Sequence, residues 1–416
     1  MKARGPVKVA HISTVDISLR YMLLNQMLSI RQAGYHVSGI SAPGPEIAAV
    51  LQAGIPYFPA DMTRSFTPLA DLKALWQLYH IIRRERFTIV HTHTPKAGLL
   101  GQIAARLAGT PIVINTVHGF YFHDRMPVFW RRFYIALETL AALCSDTIFS
   151  QNQEDIQTAI REKICSPEKI KHLGNGFDIQ AFEQAPVDER ILQEKRRELG
   201  IDAGAPVVGF VGRLVAEKGV LELLEAGREI VKQIPNVRFL FVGPPDPDKE
   251  DAITPGIARN YGLEHACIFT GRRDDMPQMY ALMNVLVLPS HREGFPRTPM
   301  EASLMRIPSV VTDVRGCREA VEHGRNGLIV PFGDIPALAQ AVLAILQDRE
   351  LARRLGEGGR RIALERFDER RVFQIVKDEY ARLLEARGYP VPAQAQTPDM
   401  GYPAFAMQGG ATEVEG

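Results

Sequence analysis

The sequence predicts an α/β protein of two Rossmann-like domains, each a doubly wound sheet of parallel strands, facing a central cleft. Short apolar runs alternate with helical patterns, and the alternation starts afresh after a charged stretch at residues 182–205. The 416 residues, with 46% hydrophobic content, suffice for two ordinary domains. Ligands of such sheets bind beyond the carboxyl ends of the strands, so function is expected in the loops that follow them.

The first alternation defines an N-terminal domain, which we assign to residues 1–185. Its predicted strands are 7–12, 36–41, 88–92, 111–116 and 146–150. Its predicted helices are 21–33, 69–86, 96–108 and 128–143. Most of these strands are continuous apolar runs, as expected for strands covered on both faces.

The second alternation defines a C-terminal domain, which we assign to residues 190–362. Its predicted strands are 207–211, 238–242, 267–270, 284–288, 309–312 and 327–330. Helical patterns follow at 335–347, 350–365 and 368–385. The tail 388–416 is rich in Pro, Gly, Ala and Gln, with little apolar surface to bury, and we expect it to be disordered.

Two glutamates with seven residues between them follow a predicted strand of the second domain. Glu293 lies in the loop after strand 284–288, and Glu301 lies where the next helix begins. Thr298 as N-cap, Pro299 at the first helical position and Glu301 at the third would form a capping box. A helix start at this edge favours an anion such as a diphosphate.

A glycine-flanked basic motif follows the first strand of the same domain. Residues 212–219 read GRLVAEKG. Gly212 and Gly219 let the backbone approach a ligand closely, while Arg213 offers a planar fork and Lys218 a point charge for phosphate oxygens. The two motifs together predict a pocket for a sugar nucleotide.

Each of these residues also has a purely structural interpretation. Glu301 could serve only as the capping-box carboxylate, worth about 0.5–2 kcal/mol to the helix. Glu293, Arg213 and Lys218 could be ordinary solvated charges. For Arg213 and Lys218, the flanking glycines make a purely structural role less convincing.

Together the motifs resemble those of the retaining family-4 glycosyltransferases of GT-B fold, which share Gly-Arg-Leu, Glu-Lys-Gly and a Glu-x7-Glu pair. The resemblance implies that Arg213 and Lys218 neutralise the leaving diphosphate, that Glu301 receives the ribose hydroxyls and that Glu293 lies beside the transferred sugar. Glu319 matches a further segment that lines the donor site, although Arg315-Gly316 replaces the more usual Gly-Gly. The implied donor-binding set is Gly212, Arg213, Lys218, Glu293, Gly294, Phe295, Glu301 and Glu319.

The resemblance also implies a mechanism and a role for the C-terminal helix. Helix 366–387 would cross back and complete the N-terminal domain. A phosphate oxygen of the donor would accept the proton of the acceptor hydroxyl on the face from which the diphosphate leaves, without the paired carboxylates of glycosidases. Arg213, Lys218 and the helix start near Glu301 would stabilise the departing charge. No metal or other cofactor is expected.

Composition agrees with such an enzyme. The formal net charge is +1, so we expect no nucleic-acid partner. The four cysteines (144, 165, 267 and 317) lack paired spacing and indicate a reducing compartment. The sequence shows neither a signal peptide nor an apolar run of membrane-spanning length, and we expect a cytoplasmic protein.

Histidines provide the candidates on the acceptor side. His118 follows strand 111–116, and we expect it to contact the transferred sugar or the incoming hydroxyl. The catalytic candidates are therefore Glu293, Arg213, Lys218 and His118. A lone histidine, however, is often structural. His11, His91 and His93 also lie at strand ends. They have no acidic companion at ligand spacing, so they are poor evidence for a metal site.

Asp16 and an aromatic segment point to the nature of the acceptor. Asp16 ends a Ser-Thr-Val-Asp segment that resembles the capsule and O-antigen branch of the family, and it would orient the acceptor. Residues 120–122 and 129–134 combine aromatic side chains with arginines, which suits the headgroup region of a bilayer. The alternative is an ordinary helix that buries Phe133, Leu137 and Leu140 in the core.

We therefore expect a peripheral enzyme on the inner face of the cell membrane that transfers a sugar from a nucleotide-diphosphate donor, in first place a UDP-sugar, to a polyprenyl-diphosphate-linked saccharide of the cell envelope. The sequence lacks the motifs of dinucleotide oxidoreductases, P-loop NTPases and α/β-hydrolases. Residues 246–248 (Asp-Pro-Asp) are interpreted as a turn. A nucleotide-sugar epimerase of the same fold and a non-catalytic sugar-nucleotide-binding partner stay open as alternatives.

Overall fold

A computed structural model of the chain describes residues 5–393, except residues 66, 124, 248 and 250. The chain divides into two compact units. Within the described residues, the first unit contains residues 5–175 together with 369–393, and the second contains Gly176–Asp368. Residues 394–416 of the predicted tail lie outside the described part.

The first unit is built around a parallel sheet. In the described part of the chain this sheet has seven strands, in the order β3-β2-β1-β4-β5-β6-β7. The strands are β1 Lys8–Ile12, β2 His36–Ser41, β3 Tyr57–Pro59, β4 Ile89–His93, β5 Ile112–Val117, β6 Thr147–Ser150 and β7 Ile170–His172. The strand order reverses direction between β1 and β4, where ligands of doubly wound sheets bind.

Helices cover this sheet and begin at the carboxyl ends of its strands. They are α1 Asp16–Ser18, a π-helical turn Leu19–Leu23, α2 Leu24–Gln32, α3 Ile47–Gln52, α4 Pro68–Glu85, α5 Pro95–Leu107, α6 Val128–Cys144 and α7 Gln153–Arg161. Proline occupies the first position of α4 and of α5, where a missing N–H costs nothing.

The second unit repeats the plan with a parallel sheet in the order β10-β9-β8-β11-β12-β13. Its strands are β8 Val207–Val211, β9 Arg238–Val242, β10 Cys267–Phe269, β11 Val285–Leu288, β12 Ser309–Thr312 and β13 Gly327–Val330. Its helices are α8 Ile179–Gln184, α9 Glu189–Glu198, α10 Val220–Gln233, α11 Met276–Ala281, α12 Arg297–Leu304, α13 Arg315–Ala320, α14 Ile335–Gln347 and α15 Arg349–Arg366, with 3₁₀ turns at Ala216–Lys218 and Pro255–Tyr261. Here the order reverses between β8 and β11.

The last helix, α16 Glu369–Ala386, belongs to the first unit. It buries an apolar stripe that includes Val376 and Tyr380. At its start, the carboxylate of Glu369 accepts a hydrogen bond from Asn25 at 2.7 Å. Further along, Glu379 pairs with Lys171 at 2.6 Å.

The predicted fold class is confirmed, because each unit is a parallel sheet with interleaved helices of Rossmann-like type. The boundary lies earlier than the predicted end of the first domain at residue 185. Phe177 is fully buried and its backbone N–H donates to the carbonyl of Phe367 at 3.0 Å, which ties the chain from Gly176 onward to the second unit.

Candidate active site

The strand-order reversal of the second sheet brings the two predicted motifs together. Residues 212–219 follow β8, and Glu293 lies in the loop after the neighbouring strand β11. Gly219 has a φ of +79°, and a Cβ there would lie 2.1 Å from the carbonyl oxygen of Pro289. Glycine is therefore required for the two loops to pack on each other.

Two ion pairs join these loops, and each loop contributes the cation to one pair and the carboxylate to the other. The Nζ atom of Lys218 lies 2.6 Å from Oε1 of Glu293, which also accepts a hydrogen bond from the hydroxyl of Ser290 at 2.7 Å. One residue earlier in each loop, Arg292 lies 2.7 Å from the carboxylate of Glu217. Burial acts to raise the pKa of Glu217, but the charge of Arg292 outweighs it and the pKa is lowered. Each of the two carboxylates thus lies directly against a cation.

Arg213 has an acidic partner that the sequence did not indicate. Its guanidinium lies 2.5 Å from a carboxylate oxygen of Asp246, which is 8% exposed in the loop after β9. Residues 246–247 do lie in a loop, as interpreted, while residue 248 is outside the described part. The Arg213 side chain keeps 42% of its surface exposed. Since a guanidinium has five N–H donors, Asp246 can orient it while other donors remain for a phosphate.

The capping box predicted at Thr298 is wrong. Helix α12 begins at Arg297, with Pro296 as N-cap and no side-chain cap. Glu301 consequently lies on the second turn. Its carboxylate accepts a hydrogen bond from the hydroxyl of Tyr280 at 2.7 Å and lies 3.7 Å from the guanidinium of Arg297.

Burial sets the electrostatics of Glu301. Its side chain is 13% exposed, and burial raises the pKa of its carboxyl, while Arg297 and Tyr280 act against the shift. Burial also raises the pKa of the Tyr280 hydroxyl. Tyr280 therefore remains a neutral donor that fixes one oxygen of Glu301.

The remaining donor-side candidates lie around the same loop. A Cβ on Gly316 would lie 2.4 Å from the carbonyl oxygen of Gly294, so α13, which carries the half-buried Glu319, begins directly against the Glu293 loop. A Cβ on Gly212 would meet only the ring of Phe210 at 3.4 Å, an ordinary contact. Local packing thus does not explain glycine at position 212.

Phe295 departs from the expected lining role. Its side chain is 7% exposed and packs edge-on against Phe367, with 6.0 Å between ring centroids. The aromatic ring belongs to the core, which leaves the backbone of Phe295 for any contact with a ligand.

The strand-order reversal of the first sheet carries hydroxyl groups and a strained residue. Thr94 directly follows β4 and has a φ of +66°. Its hydroxyl lies 2.8 Å from that of Thr14, which follows β1, and accepts from the backbone N–H of Thr14 at 3.2 Å. A β-branched residue in this conformation is costly, and such strain concentrates at ligand sites.

Three buried histidines and the half-buried His118 form a hydrogen-bonded cluster below this edge. His118 Nε2 lies 3.2 Å from His93 Nδ1, and His93 Nε2 lies 3.0 Å from His11 Nδ1. His91 lies 2.7 Å from the hydroxyls of both Thr116 and Tyr380. The sequence analysis chose His118 as a catalytic candidate and treated His11, His91 and His93 as weaker ones, and the structure brings all four imidazoles together.

The same cluster was considered poor evidence for a metal site. One nitrogen each of His11, His91 and His93 lies within 4.8 Å of the others, a spacing that a metal ion could bridge. In the described structure these nitrogens are engaged with one another or with the Thr116 and Tyr380 hydroxyls. Burial lowers the pKa of all three, that of His11 to about 3. The geometry is that of linked neutral imidazoles.

Asp16 lies four residues beyond β1 and is 7% exposed. Its Oδ2 atom accepts from the backbone N–H of Glu46 at 3.0 Å, and a Cβ on Gly44 would lie 2.1 Å from that oxygen. Asp16 thus fastens the loop after β2, and its acceptor-orienting role stays a prediction.

Comparison with known proteins identifies the family. The family described as Glycosyl transferases group 1 matches residues 192–362, and Glycosyl transferase 4-like domain matches residues 20–176. The chain is 30% identical over 380 residues to the capsular polysaccharide biosynthesis glycosyltransferase CapM of Staphylococcus aureus, covering 91% of this chain and 98% of CapM. The chain belongs to the GT-B glycosyltransferases of family 4.

Two further comparisons agree with this assignment. The glycosyltransferase is 29% identical over 350 residues to UDP-Gal:alpha-D-GlcNAc-diphosphoundecaprenol alpha-1,3-galactosyltransferase of Escherichia coli, covering 83% of this chain and 89% of that one. The crystal structure of Anabaena HepE in complex with UDP and glucose has a TM-score of 0.77 and 22% identity, covering 90% of this chain and 100% of HepE. The latter likeness shows the fold.

Several residues of the candidate site of this glycosyltransferase were not predicted from the sequence: Tyr280, Asp246, Glu217 and Arg292. Glu217 immediately precedes Lys218, and Arg292 immediately precedes Glu293. An acid–base pair in one loop and a base–acid pair in the other would have predicted two ion pairs between the loops. Tyr280 and Asp246 lie in segments that carry no motif of their own.

The aromatic segment of the glycosyltransferase is only partly exposed. On α6, Val128 is 74%, Phe129 73% and Trp130 50% exposed, and Arg132 is exposed as well. Phe120 and Phe122, in contrast, are buried at 5% and 1%, so the expectation of a surface role is wrong for those two rings. Among the described helices, none is long and apolar enough to cross a membrane.

Proposed function

We propose that this glycosyltransferase transfers a sugar, with retention of configuration, from a UDP-sugar to a polyprenyl-diphosphate-linked saccharide during assembly of a cell-envelope polysaccharide. The observation that carries the proposal is the cluster of ion pairs at the strand-order reversal of the second unit. Two cations, Lys218 and Arg213, lie there beside carboxylates that can give them up to a diphosphate. The name of the Escherichia coli galactosyltransferase supports the acceptor class, and the name of CapM supports a role in polysaccharide assembly.

The donor would bind by exchanging partners with the resident ion pairs. Phosphate oxygens would take the Nζ of Lys218 from Glu293, since a doubly charged diphosphate competes well for a cation only 22% exposed. Glu293, once released, is free to receive a hydroxyl of the transferred sugar. Glu301, held by Tyr280 through one oxygen, would receive the ribose hydroxyls through the other.

Transfer then needs little chemistry from the side chains. The acceptor oxygen forms a bond to the anomeric carbon while the carbon–oxygen bond to the diphosphate breaks, and a phosphate oxygen takes the hydroxyl proton. Lys218 and Arg213 stabilise the charge on the departing diphosphate, a contribution commonly worth about 10²–10³ in rate for one well-placed donor. His118 and Asp16 of the first unit position the acceptor.

A panel of nucleotide sugars tests the donor assignment. The purified protein is incubated with UDP-, GDP- and dTDP-sugars, with and without EDTA, and slow donor hydrolysis is followed. We expect hydrolysis of a UDP-sugar that persists in EDTA, because the two cations supply the charge, and that is abolished in Lys218→Ala. Conversion of the sugar to its epimer would establish the epimerase alternative, and binding without turnover would establish the non-catalytic one.

We further propose that the protein is cytoplasmic and docks on the inner face of the membrane through the exposed start of α6. Val128, Phe129 and Trp130 present apolar surface next to the exposed Arg132. Surface attraction to anionic lipid is worth about 1 kcal/mol per basic residue and is screened by salt. Arg131 contributes less, since its guanidinium is 2.7 Å from Glu162.

Vesicle sedimentation tests the docking surface. We expect partial binding to anionic vesicles, release by salt, and loss of binding in Phe129→Ser/Trp130→Ala/Arg132→Ala. Trp76→Ala is the matched control, because it removes a tryptophan of similar exposure, 64%, from α4 of the same unit. Binding that is indifferent to lipid charge and to the triple substitution would point to a soluble acceptor.

A further inference from the structure

The hydrogen-bonded histidine chain of the first unit ends on two different kinds of group. At one end lies the hydroxyl of Tyr380 on α16, which is fully buried. At the other end lies His118, in the loop after β5. His11 and His93, at 0% and 1% exposure, connect the two ends.

Each imidazole in this chain is neutral, because burial lowers the pKa of every member, that of His118 to about 4. A neutral imidazole carries one N–H donor and one bare acceptor nitrogen. In a chain of such rings, each donor must meet an acceptor. The direction of one hydrogen bond therefore dictates the protonated nitrogen of every ring.

The distances around Tyr380 favour one direction. Its hydroxyl oxygen lies 2.7 Å from His91 Nδ1 and 3.5 Å from His11 Nε2. An O–H donor is best placed at the shorter contact, so it donates to His91, whose Nε2–H then donates to Thr116. The Tyr380 oxygen is left to accept from His11 Nε2–H across the longer contact.

The remaining assignments follow along the chain. With its proton on Nε2, His11 accepts at Nδ1 from His93 Nε2–H, and His93 accepts at Nδ1 from His118 Nε2–H. Nδ1 of His118 is then a bare acceptor. This atom is buried, and among the described residues no group meets it with good hydrogen-bond geometry, although a side-chain hydrogen bond with Gln151 acts to raise the pKa of the ring. Buried polar atoms without a partner are rare, and one at the end of a polar chain indicates a ligand group.

We propose that Tyr380, His11 and His93 are positioning residues that hold His118 in the Nε2–H tautomer, so that its Nδ1 accepts a hydrogen bond from a substrate hydroxyl. The proposal rests on the acceptor-side role of His118 in the proposed function. It gives α16 a part in the site beyond packing, since Tyr380 lies on that helix.

A metal ion held by the histidines is the competing account of the same cluster. The facing nitrogens of His11 and His93 are 3.0 Å apart in rings only 15° from parallel. Lone pairs in such rings point at each other rather than at a common third point. Hydrogen bonding is thus the better description of this pair.

The test reads the tautomers directly in the full-length protein. Selective ¹⁵N-histidine labelling and long-range ¹H–¹⁵N correlation distinguish Nδ1–H from Nε2–H imidazoles, with the His118 signal assigned by its loss in His118→Gln. We expect His118 as the neutral Nε2–H tautomer at pH 7 in the wild type. An Nδ1–H tautomer, or a stoichiometric metal ion in the purified protein, would overturn the proposal even if no variant folds.

Variants then test the origin of the tautomer. Tyr380→Phe removes the hydroxyl and should give a tautomer mixture at His118, with kcat lowered roughly fivefold and the donor KM unchanged. Tyr35→Phe is the matched control, since Tyr35 packs edge-on against Tyr380 at 5.8 Å and its hydroxyl is not a member of the chain. His93→Leu should resemble Tyr380→Phe, and His93→Gln, which keeps a donor and an acceptor, should restore part of the activity.

The outcomes separate this proposal from the proposed function. Tyr380→Phe with an unchanged tautomer would overturn the positioning role. A changed tautomer with unchanged kcat would instead remove His118 from the transfer reaction while leaving the donor-site assignment in place.

Discussion

The two strand-order reversals of this glycosyltransferase have the same topology and opposite electrostatics. In the second unit, the loops there carry ion pairs such as Lys218–Glu293 and Arg292–Glu217 on partly exposed side chains. In the first unit, the equivalent edge carries threonine hydroxyls above buried, neutral histidines.

This difference shows how one fold serves two kinds of ligand. In the proposed function, a diphosphate takes cations from resident ion pairs, and the carboxylates of those pairs hold the cations in place until it arrives. A sugar hydroxyl carries no charge and needs a donor or acceptor of fixed direction, which a buried network supplies. The division matches the proposed donor and acceptor sides.

The largest expected effect separates the units by stability. Ending the chain after Asp368 removes α16, with the buried Val372, Phe373, Val376, Tyr380 and Leu384, and should unfold the first unit. Both tryptophans, Trp76 and Trp130, lie in that unit, so their fluorescence reports on it alone. Ending the chain at Arg387 is the control and should leave melting temperature and activity almost unchanged. If the shorter deletion also unfolds the protein, the tail boundary is misplaced.

The next effect concerns the charged edge of the second unit. Lys218→Ala and Arg213→Ala should each lower transfer by about 10²–10³ while the fold is retained, because each removes a cation from the diphosphate site. Lys232→Ala is the control, since Lys232 forms a surface pair with Glu229 on α10 and is 72% exposed. Steady-state kinetics and circular dichroism provide the measurements. Near-normal turnover in both variants would remove the donor site from this edge.

The sequence predicted which segments meet at the charged edge, but it did not predict that the histidines of the neutral edge meet, for a physical reason. The donor motifs are contiguous segments with glycines whose spacing can be read directly, as at Gly219. The histidines lie about 80 residues apart and meet only because β1 and β4 are neighbours, with His11 and His91 in register. A doubly wound sheet places β1 beside β4, so the meeting of His11 and His91 could have been predicted from the assumed strand order.

Short or weakly patterned elements were the other gaps. The edge strands β3 and β7 have three residues each, too few for a recognisable alternation, and neither was predicted. The start of α12 was misplaced because Thr298 and Pro299 imitate a capping box, whereas Thr298 is helical and Pro296 is the N-cap.

Mild acid should destabilise the first unit, with its buried neutral histidines, more than the second unit, with its ion pairs. Burial lowers the pKa of His118 to about 4 and of His11 to about 3, from the usual 6.5. The unfolded chain therefore binds protons first, and stability present above pH 6.5 is lost as the pH falls toward 4. A shift like that of His118 corresponds to about 3 kcal/mol.

Carboxylates modify this prediction in both units. In the second unit, ion pairs with Arg273 and Lys195 outweigh burial and lower the pKa of Asp275 to about 2, so its contribution is lost only between about pH 4 and 2. In the first unit, burial raises the pKa of Glu138 to about 7. The stability that this carboxyl contributes is present at acid pH and is lost as the pH rises through 7. It therefore partly offsets the loss of stability caused by the histidines.

We therefore expect tryptophan fluorescence to report loss of the first unit between pH 6 and 4, while far-UV circular dichroism retains the signal of the second unit. A single transition below pH 4, seen equally by both probes, would contradict the buried neutral state of the histidines.

The smallest expected effects distinguish the two glutamates within the charged edge. Glu301 lies on α12, is nearly buried and is held by Tyr280, so it is suited to fixed recognition of the ribose diol. Glu301→Gln keeps the shape and an acceptor for Tyr280, and we expect it to raise the donor KM roughly tenfold with little change in kcat.

Glu293 lies on a loop, where its carboxylate pairs with Lys218 and accepts from Ser290, and Lys218 is the cation that the diphosphate recruits in the proposed function. In Glu293→Gln, Lys218 loses its competing anion, so donor affinity should be unchanged or slightly higher. The carboxylate that holds a sugar hydroxyl and counters positive charge at the anomeric carbon is missing, however, and these interactions strengthen in the transition state. We expect kcat to fall about 10- to 100-fold. Calorimetry of donor binding and separate turnover measurements, with Glu229→Gln as a surface control, decide between the roles: loss of affinity in Glu293→Gln together with loss of rate alone in Glu301→Gln would show that they are reversed.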